Sequence, residues 1–172
     1  MPKLLTLRGE VDLGTSVGAY SLEKNLFAYE APDLTKAWSI GCAHIWLKDP
    51  KNPSVQRSEF SISLQIQTDT ITPVSNNLTA GDNRAIGWTS VSYEGSDTGS
   101  SDTSSEIHRM EIIDPDHIIT RNLFGTFSFN GDASLESSDC TICYLIELYS
   151  ESISPTQNIL QTVKSVAQDI TN

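Results

Sequence analysis

The sequence predicts an all-β chain closed by one C-terminal α-helix, arranged as an antiparallel β-sandwich of about eight strands. Three observations carry that expectation. Apolar and polar residues alternate along most of the chain, the period of a half-buried strand. The alternation is cleanest in Phe60–Gln67, where Phe60, Ile62, Leu64 and Ile66 oppose Ser61, Ser63, Gln65 and Gln67. The alternating runs are divided by Gly, Pro, Asn and Asp with no helical pattern between them, which favours antiparallel pairing. Only after Ser154 does the period become that of a helix.

The elements follow in order. Lys3–Leu13 sets Leu5, Leu7, Val11 and Leu13 on one face, and Gly14 and Gly18 punctuate the turn after it. Leu22–Tyr29 fits either a strand or a short helix. Beyond the turn at Ala31, Pro32 and Asp33, a long strand runs from Lys36 to Lys48. Trp38, Ile40, Cys42, His44 and Trp46 share one of its faces, and Ala37, Ser39, Gly41, Ala43, Ile45 and Leu47 share the other. Both faces are apolar or small, which predicts a central strand covered on two sides. Pro50 and Pro53 lack the N–H that a ladder needs and mark a loop. The Lys36–Lys48 and Phe60–Gln67 strands are then expected to form a broad hairpin. A short strand at Ile71–Val74 and a turn at Asn76–Asn83 precede a strand at Ala85–Tyr93.

Residues 94–106 hold no apolar side chain, so burial offers nothing to offset their ordering, and an exposed mobile loop is expected. Ile107–Ile113 resumes as a strand, the Asp114–Asp116 segment turns, and Ile118–Phe129 alternates again. Asn130, Gly131 and Asp132 reverse the chain, and Cys140–Tyr149 is the last strand. The helix is expected over 155–170. Ile159, Leu160, Val163, Val166, Ala167 and Ile170 form one stripe, Ser154 is the N-cap, Pro155 stands at N1 and Gln157 at N3 completes a capping box. Residues 1–172 read as a single domain of jelly-roll-like organisation, without an internal repeat.

Composition bounds the use of this scaffold. Hydrophobic residues make up 38% of the chain, enough for a core despite a net charge of −11. The acidity is uneven. Residues 1–93 carry eight Lys/Arg against nine Asp/Glu, net −1, whereas residues 94–172 carry three against thirteen, net −10. Such a surface repels phosphates, and neither terminus holds a basic cluster, so direct nucleic-acid binding is not expected. No apolar run is long enough to span a membrane, and no signal peptide is expected at Met1–Arg8. The sequon at Asn77 therefore reads as chance. An odd set of cysteines, Cys42, Cys140 and Cys143, points to synthesis in a reducing compartment.

Candidate chemistry is thin. Cys140 and Cys143, with Cys42 and His44, have the residue types of a Cys3His zinc site. Three residues apart on a strand, however, Cys140 and Cys143 point to opposite faces, so buried structural thiols are the expectation and no metal or cofactor is assigned. His44, His108 and His117 are candidate general bases without a nucleophile motif beside them, and His117 reads as a surface turn residue. Asp114 and Asp116 are the candidate ligands for a calcium ion between subunits. Trp38, Trp46 and Trp88 are candidate lining for a carbohydrate pocket, with core or interface packing the simpler reading. No catalytic residue is assigned and the chain is not expected to be an enzyme.

The stretch Asp116–Phe124, followed by Cys143–Tyr149 and the helix, resembles small coat proteins of simple viruses over about the last third of the chain. That resemblance implies a self-assembling structural protein, a virion shell component made in the host cytoplasm, whose partners are copies of itself or other shell proteins. The chain departs from many coat proteins in having no basic arm, so either another protein neutralises the genome's charge or this one occupies an outer or accessory position. The alternative expectation is a cytoplasmic ligand- or carbohydrate-binding β-sandwich. Under the assembly reading, the Cys140–Tyr149 strand and the helix are expected at an interface. The uncharged row Ser61, Ser63, Gln65 and Gln67 is a further candidate contact surface, because it is less costly to desolvate than a charged face.

Overall fold

The structure is a computed structural model and describes residues 4–13, 20–28, 35–49, 60–70, 81–94, 104–107, 111–112, 117–131 and 141–166. These form nine strands and one helix: β1 (Leu4–Asp12), β2 (Tyr20–Ala28), β3 (Lys36–Leu47), β4 (Phe60–Gln67), β5 (Ala85–Glu94), β6 (Ser104–Ile107), β7 (Glu111–Ile112), β8 (Asn122–Gly131), β9 (Thr141–Ser152) and α1 (Pro155–Val166). All pairings between strands are antiparallel. One sheet has the order β1-β9-β3. The other has the order β2-β8-β4-β5-β6, with β7 also on β5. Half of the steps between consecutive strands cross between the sheets: the chain changes sheet from β1 to β2, β2 to β3, β3 to β4 and β8 to β9, while β4 to β8 stay in one sheet. That wrapping is jelly-roll-like. The ambiguous Leu22–Tyr29 segment is a strand because β8 offers its backbone a partner from Tyr20 to Ala28.

The alternation read from sequence builds the core. Phe60, Ile62, Leu64 and Ile66 of β4 meet Phe129 and Phe127 of β8 on the same sheet face. From the other sheet, Ile142, Tyr144, Ile146 and Leu148 of β9 point inward. Phe60 stacks on Tyr93 and Phe129, with centroids 4.7 Å and 5.4 Å away. Phe127 crosses the gap to Tyr144 at 5.3 Å. The Tyr93 hydroxyl accepts the Leu47 backbone N–H at 3.0 Å, so a buried phenol ties β5 to the edge of β3. Gly9 is needed where it stands: the Tyr144 ring lies across it, and a Cβ there would come within 2.7 Å of the hydroxyl oxygen.

Several expectations are corrected. β3 is an edge strand, not a central one, and it does not pair with β4, which lies in the other sheet between β8 and β5. Its two apolar faces have another cause. A β-bulge places Gly41 between the pairs Ile40–Leu148 and Cys42–Glu147. Before the bulge, Trp38 and Ile40 pack on the core; after it, Ala43, Ile45 and Leu47 do. One extra residue shifts the period by half a repeat, so the core-facing set changes parity within the strand. Trp38 and Trp46 therefore sit on opposite faces.

Residues 94–106 are not all loop as expected, because Glu94 closes β5 and Ser104–Ile107 pairs with it as β6; residues 95–103 lie outside the described residues. Backbone hydrogen bonding builds this ladder without any need for apolar side chains. The strand expected over Ile107–Ile113 divides into β6 and the short β7. β8 begins at Asn122, and ahead of it Ile119 exchanges both backbone hydrogen bonds with Trp38 across the sheets, at 2.7 Å and 2.9 Å. Ile71–Val74 and the helix beyond Val166 lie outside the described residues.

Candidate interaction surfaces

Among the described residues, three surfaces meet the exterior. The first is α1. The capping box forms as the sequence predicts. The Gln157 N–H donates to Ser154 Oγ at 3.2 Å, and the Ser154 N–H donates to Gln157 Oε1 at 2.9 Å. The orientation that follows is inverted. Asn158 is only 8% exposed, and Gln161 and Thr162 turn toward a recess lined by Thr68, Asp69, Ile118, Thr120, Arg121 and Asn122. On the opposite side, Ile159, Leu160 and Val163 are 59%, 62% and 57% exposed. The body beneath the helix, where β4 ends and β8 begins, offers mostly polar side chains with Ile118 the apolar exception, so the polar flank docks and the aliphatic stripe is left outside.

The second surface is the outer face of the β1-β9-β3 sheet. Register sets out its rows: Leu4, Tyr149 and Ser39; Thr6, Glu147 and Cys42; Arg8, Leu145 and His44; Glu10, Cys143 and Trp46. Leu4, Trp46 and Tyr149 are exposed large side chains, and Leu145 is half-buried between Arg8 and His44. Lys48 Nζ lies 2.6 Å from Glu10 Oε2 at one end of the face. The apolar content of β9 thus has two destinations: the inward residues fill the core, and Leu145 and Tyr149 belong to this open face.

The third surface is the outer face of the six-stranded sheet. Ser21, Ser128, Ser63 and Ser90 follow one another across β2, β8, β4 and β5, and the Ser21 and Ser128 hydroxyls are 3.0 Å apart. Half of the expected β4 contact surface is already internal, since Gln65 is 4% and Gln67 0% exposed. The Gln67 amide donates to Glu23 Oε2 at 2.7 Å and to Thr126 Oγ1 at 3.1 Å, and accepts from the Gln65 amide at 3.3 Å. A buried carboxamide is stable when its polar atoms are bonded, and neighbouring strands supply those partners here. Ser61 and Ser63 remain half-buried.

The other candidates separate in space. Cys143 lies beside Trp46 and Cys42 beside Glu147, two outward rows apart on the sheet, so the two thiols do not converge on one metal ion. Cys140 lies outside the described residues, as do His108, Asp114, Asp116 and Asn77. Burial, then a hydrogen bond to Glu147, pushes the Cys42 thiol above its ordinary pKa; burial, then the Glu10 carboxylate, does the same to Cys143. Both are therefore held as thiols at neutral pH. Alkylation by iodoacetamide, followed by peptide mass at each site, is expected to be slower than for an unhindered thiol at pH 7 and to accelerate only as pH rises past the ordinary thiol range. Fast labelling at pH 7 would show an activated cysteine instead.

His44 stands exposed on the outer sheet face. His117 is 3% exposed rather than a surface turn residue, because the Ile119–Trp38 bridge draws this stretch against the body. The tryptophans share no pocket. Trp38 meets Phe27 edge-on at 6.0 Å, Trp46 is exposed on the opposite side of its strand, and Trp88 is half-buried between Gln65 and Glu111 on the other sheet.

No protein-family model and no curated protein matches the chain. Among solved structures, a chain from Desmodium yellow mottle tymovirus is similar at 10% identity, with 89% of each chain covered and a TM-score of 0.37. An overlap that loose assigns no function. None of the helices described is long and apolar enough to cross a membrane.

Proposed function

We propose that the chain is a self-assembling structural subunit, a virion shell component made in the host cytoplasm that neither catalyses a reaction nor holds the genome directly. The observation that carries this reading is the inverted helix. A helix that docks its polar flank and leaves three aliphatic side chains about 60% exposed keeps an unfavourable hydration that burial against a macromolecular partner relieves. The open face with Leu4, Trp46 and Tyr149 supports the same reading. A net charge of −11 keeps phosphates away, so another component must neutralise a packaged genome. The dispersal of the three tryptophans removes the main support for a carbohydrate site.

Sedimentation velocity and negative-stain microscopy of the purified chain test the proposal. Large symmetric particles or polymers are expected, and a chain truncated after Ser152 is expected to lose them while circular dichroism shows its strands retained. An EDTA arm tests whether Asp114 and Asp116 bridge subunits through calcium. A species that stays at 18.8 kDa at every concentration refutes the proposal.

A further inference from the structure

Resting on the reading of the chain as a shell subunit, we infer that α1 is a contact between two copies, with the Ile159, Leu160 and Val163 stripe of one copy against the same stripe of the second. The anchoring of the helix comes first. Asn158 is buried, and Gln161 and Thr162 line the recess against the body. Rolling the aliphatic stripe inward would expel these groups from their places, so the stripe is presented rather than waiting to fold back.

Charge selects the occupant. An identical partner doubles every charge at the contact, and a chain of net −11 repels itself over most of its surface. Within the C-terminal part that carries −10, residues 153–168 contain no acid and a single base, Lys164, between Glu151 and Asp169. Two copies approach there with the least like-charge cost. A cationic partner would be drawn to the acidic surfaces instead, and an acidic one is repelled by the whole chain.

Area sets the strength. The three side chains leave on the order of 200–300 Å² of apolar surface open per copy, roughly 500 Å² for a pair. A stable two-body interface buries about 1,200 Å² or more. The helix pair is therefore a weak contact by itself and gains its effect by repetition among many copies, each held by other contacts as well. A two-fold arrangement satisfies the demand that the same patch serve both partners.

The test uses the full chain with Ile159→Ser, Leu160→Ser and Val163→Ser combined. All three positions are exposed, so the monomer's thermal unfolding and circular dichroism should be unchanged. The concentration at which assembly begins, read by light scattering, should rise roughly tenfold or more. In parallel, a photoreactive amino acid at position 163, in a mixture of isotope-labelled and unlabelled chains, should crosslink to residues 155–166 of a different copy. If wild-type protein assembles and the triple variant does so at the same concentration, or if the crosslink goes to a strand, the helix contact is wrong while the shell reading stands. If wild-type protein never assembles, both fail.

Discussion

Replacing Phe127 by alanine is expected to cost about 3–5 kcal/mol, the range for removing a fully buried phenylalanine. Phe127 is 0% exposed. On its own sheet it is flanked by Leu64 of β4 and Leu22 of β2, and its ring reaches Tyr144 of the opposite sheet at 5.3 Å. It stands where the two layers meet. The surrounding atoms belong to strands held by backbone ladders on both sides, so the walls of the cavity have little freedom to collapse. Against a total stability of about 5–15 kcal/mol for a natural domain, this is about a fifth of the whole at the least. Urea titration followed by tryptophan fluorescence measures it. A loss below about 1.5 kcal/mol would show that the interior relaxes far more than this packing implies.

The second large effect is expected from Asp82→Ala. Arg84 is 5% exposed, and its guanidinium sits in a cage of acceptors. Nε and Nη2 donate to the two Asp82 carboxylate oxygens at 3.0 Å and 2.8 Å, while Nη1 donates to the Thr70 carbonyl at 2.9 Å. The Arg84 backbone N–H donates to Asp82 Oδ1 at 2.9 Å, and the Arg84 carbonyl accepts from the Thr68 N–H at 3.0 Å. The Ala85 N–H closes the turn onto the Asp82 carbonyl at 2.9 Å. One carboxylate thus neutralises a buried cation and shapes the entry to β5 opposite the end of β4. Its removal leaves a buried charge without its counter-ion, a loss of about 3 kcal/mol.

The same pair makes stability depend on pH. Hydrogen bonds from Arg84 hold the Asp82 carboxyl below its ordinary pKa, outweighing the partial burial that pushes it upward. A carboxyl whose folded pKa is depressed binds its proton more readily in the unfolded chain. Its contribution is therefore complete above about pH 4 and is lost as pH falls below that through the lowered folded value. The stability difference between wild type and Asp82→Ala is expected to be constant near neutrality and to shrink in acid. Denaturant titrations at pH 7, 4 and 3 check the sign; a difference that grows on acidification would contradict it.

Much of the scaffold is legible along the chain because both periods are local. The strict alternation at Phe60–Gln67 marks the exact bounds of β4, and Ser154, Pro155 and Gln157 mark the start of α1, since capping needs only residues within one turn. Where the reading fails, the cause is a pairing with a distant segment. β3 reads as two-sided because Gly41 inserts into a ladder with β9 more than a hundred residues away. Residues 104–106 read as loop because their strand character comes from β5, not from their side chains. Gln65 and Gln67 read as surface because the Glu23 and Thr126 groups that satisfy them arrive from β2 and β8. A weak signal for the Gly41 bulge was present: a glycine in mid-strand beside two apolar faces.

The sequence by itself determined that the chain is strands followed by a helix, that the helix is amphipathic, and that the chain carries a net charge of −11. These are properties of spacing and charge, which need no knowledge of neighbours. Only the tertiary structure decided which side of the helix faces out. The period locates an aliphatic stripe on α1, but the direction of that stripe depends on what lies beneath, and beneath the helix lie Thr68, Asp69, Thr120, Arg121 and Asn122 with the single apolar Ile118. A polar bed takes the polar flank. Ile159, Leu160 and Val163 are thereby the most exposed large apolar side chains among the described residues.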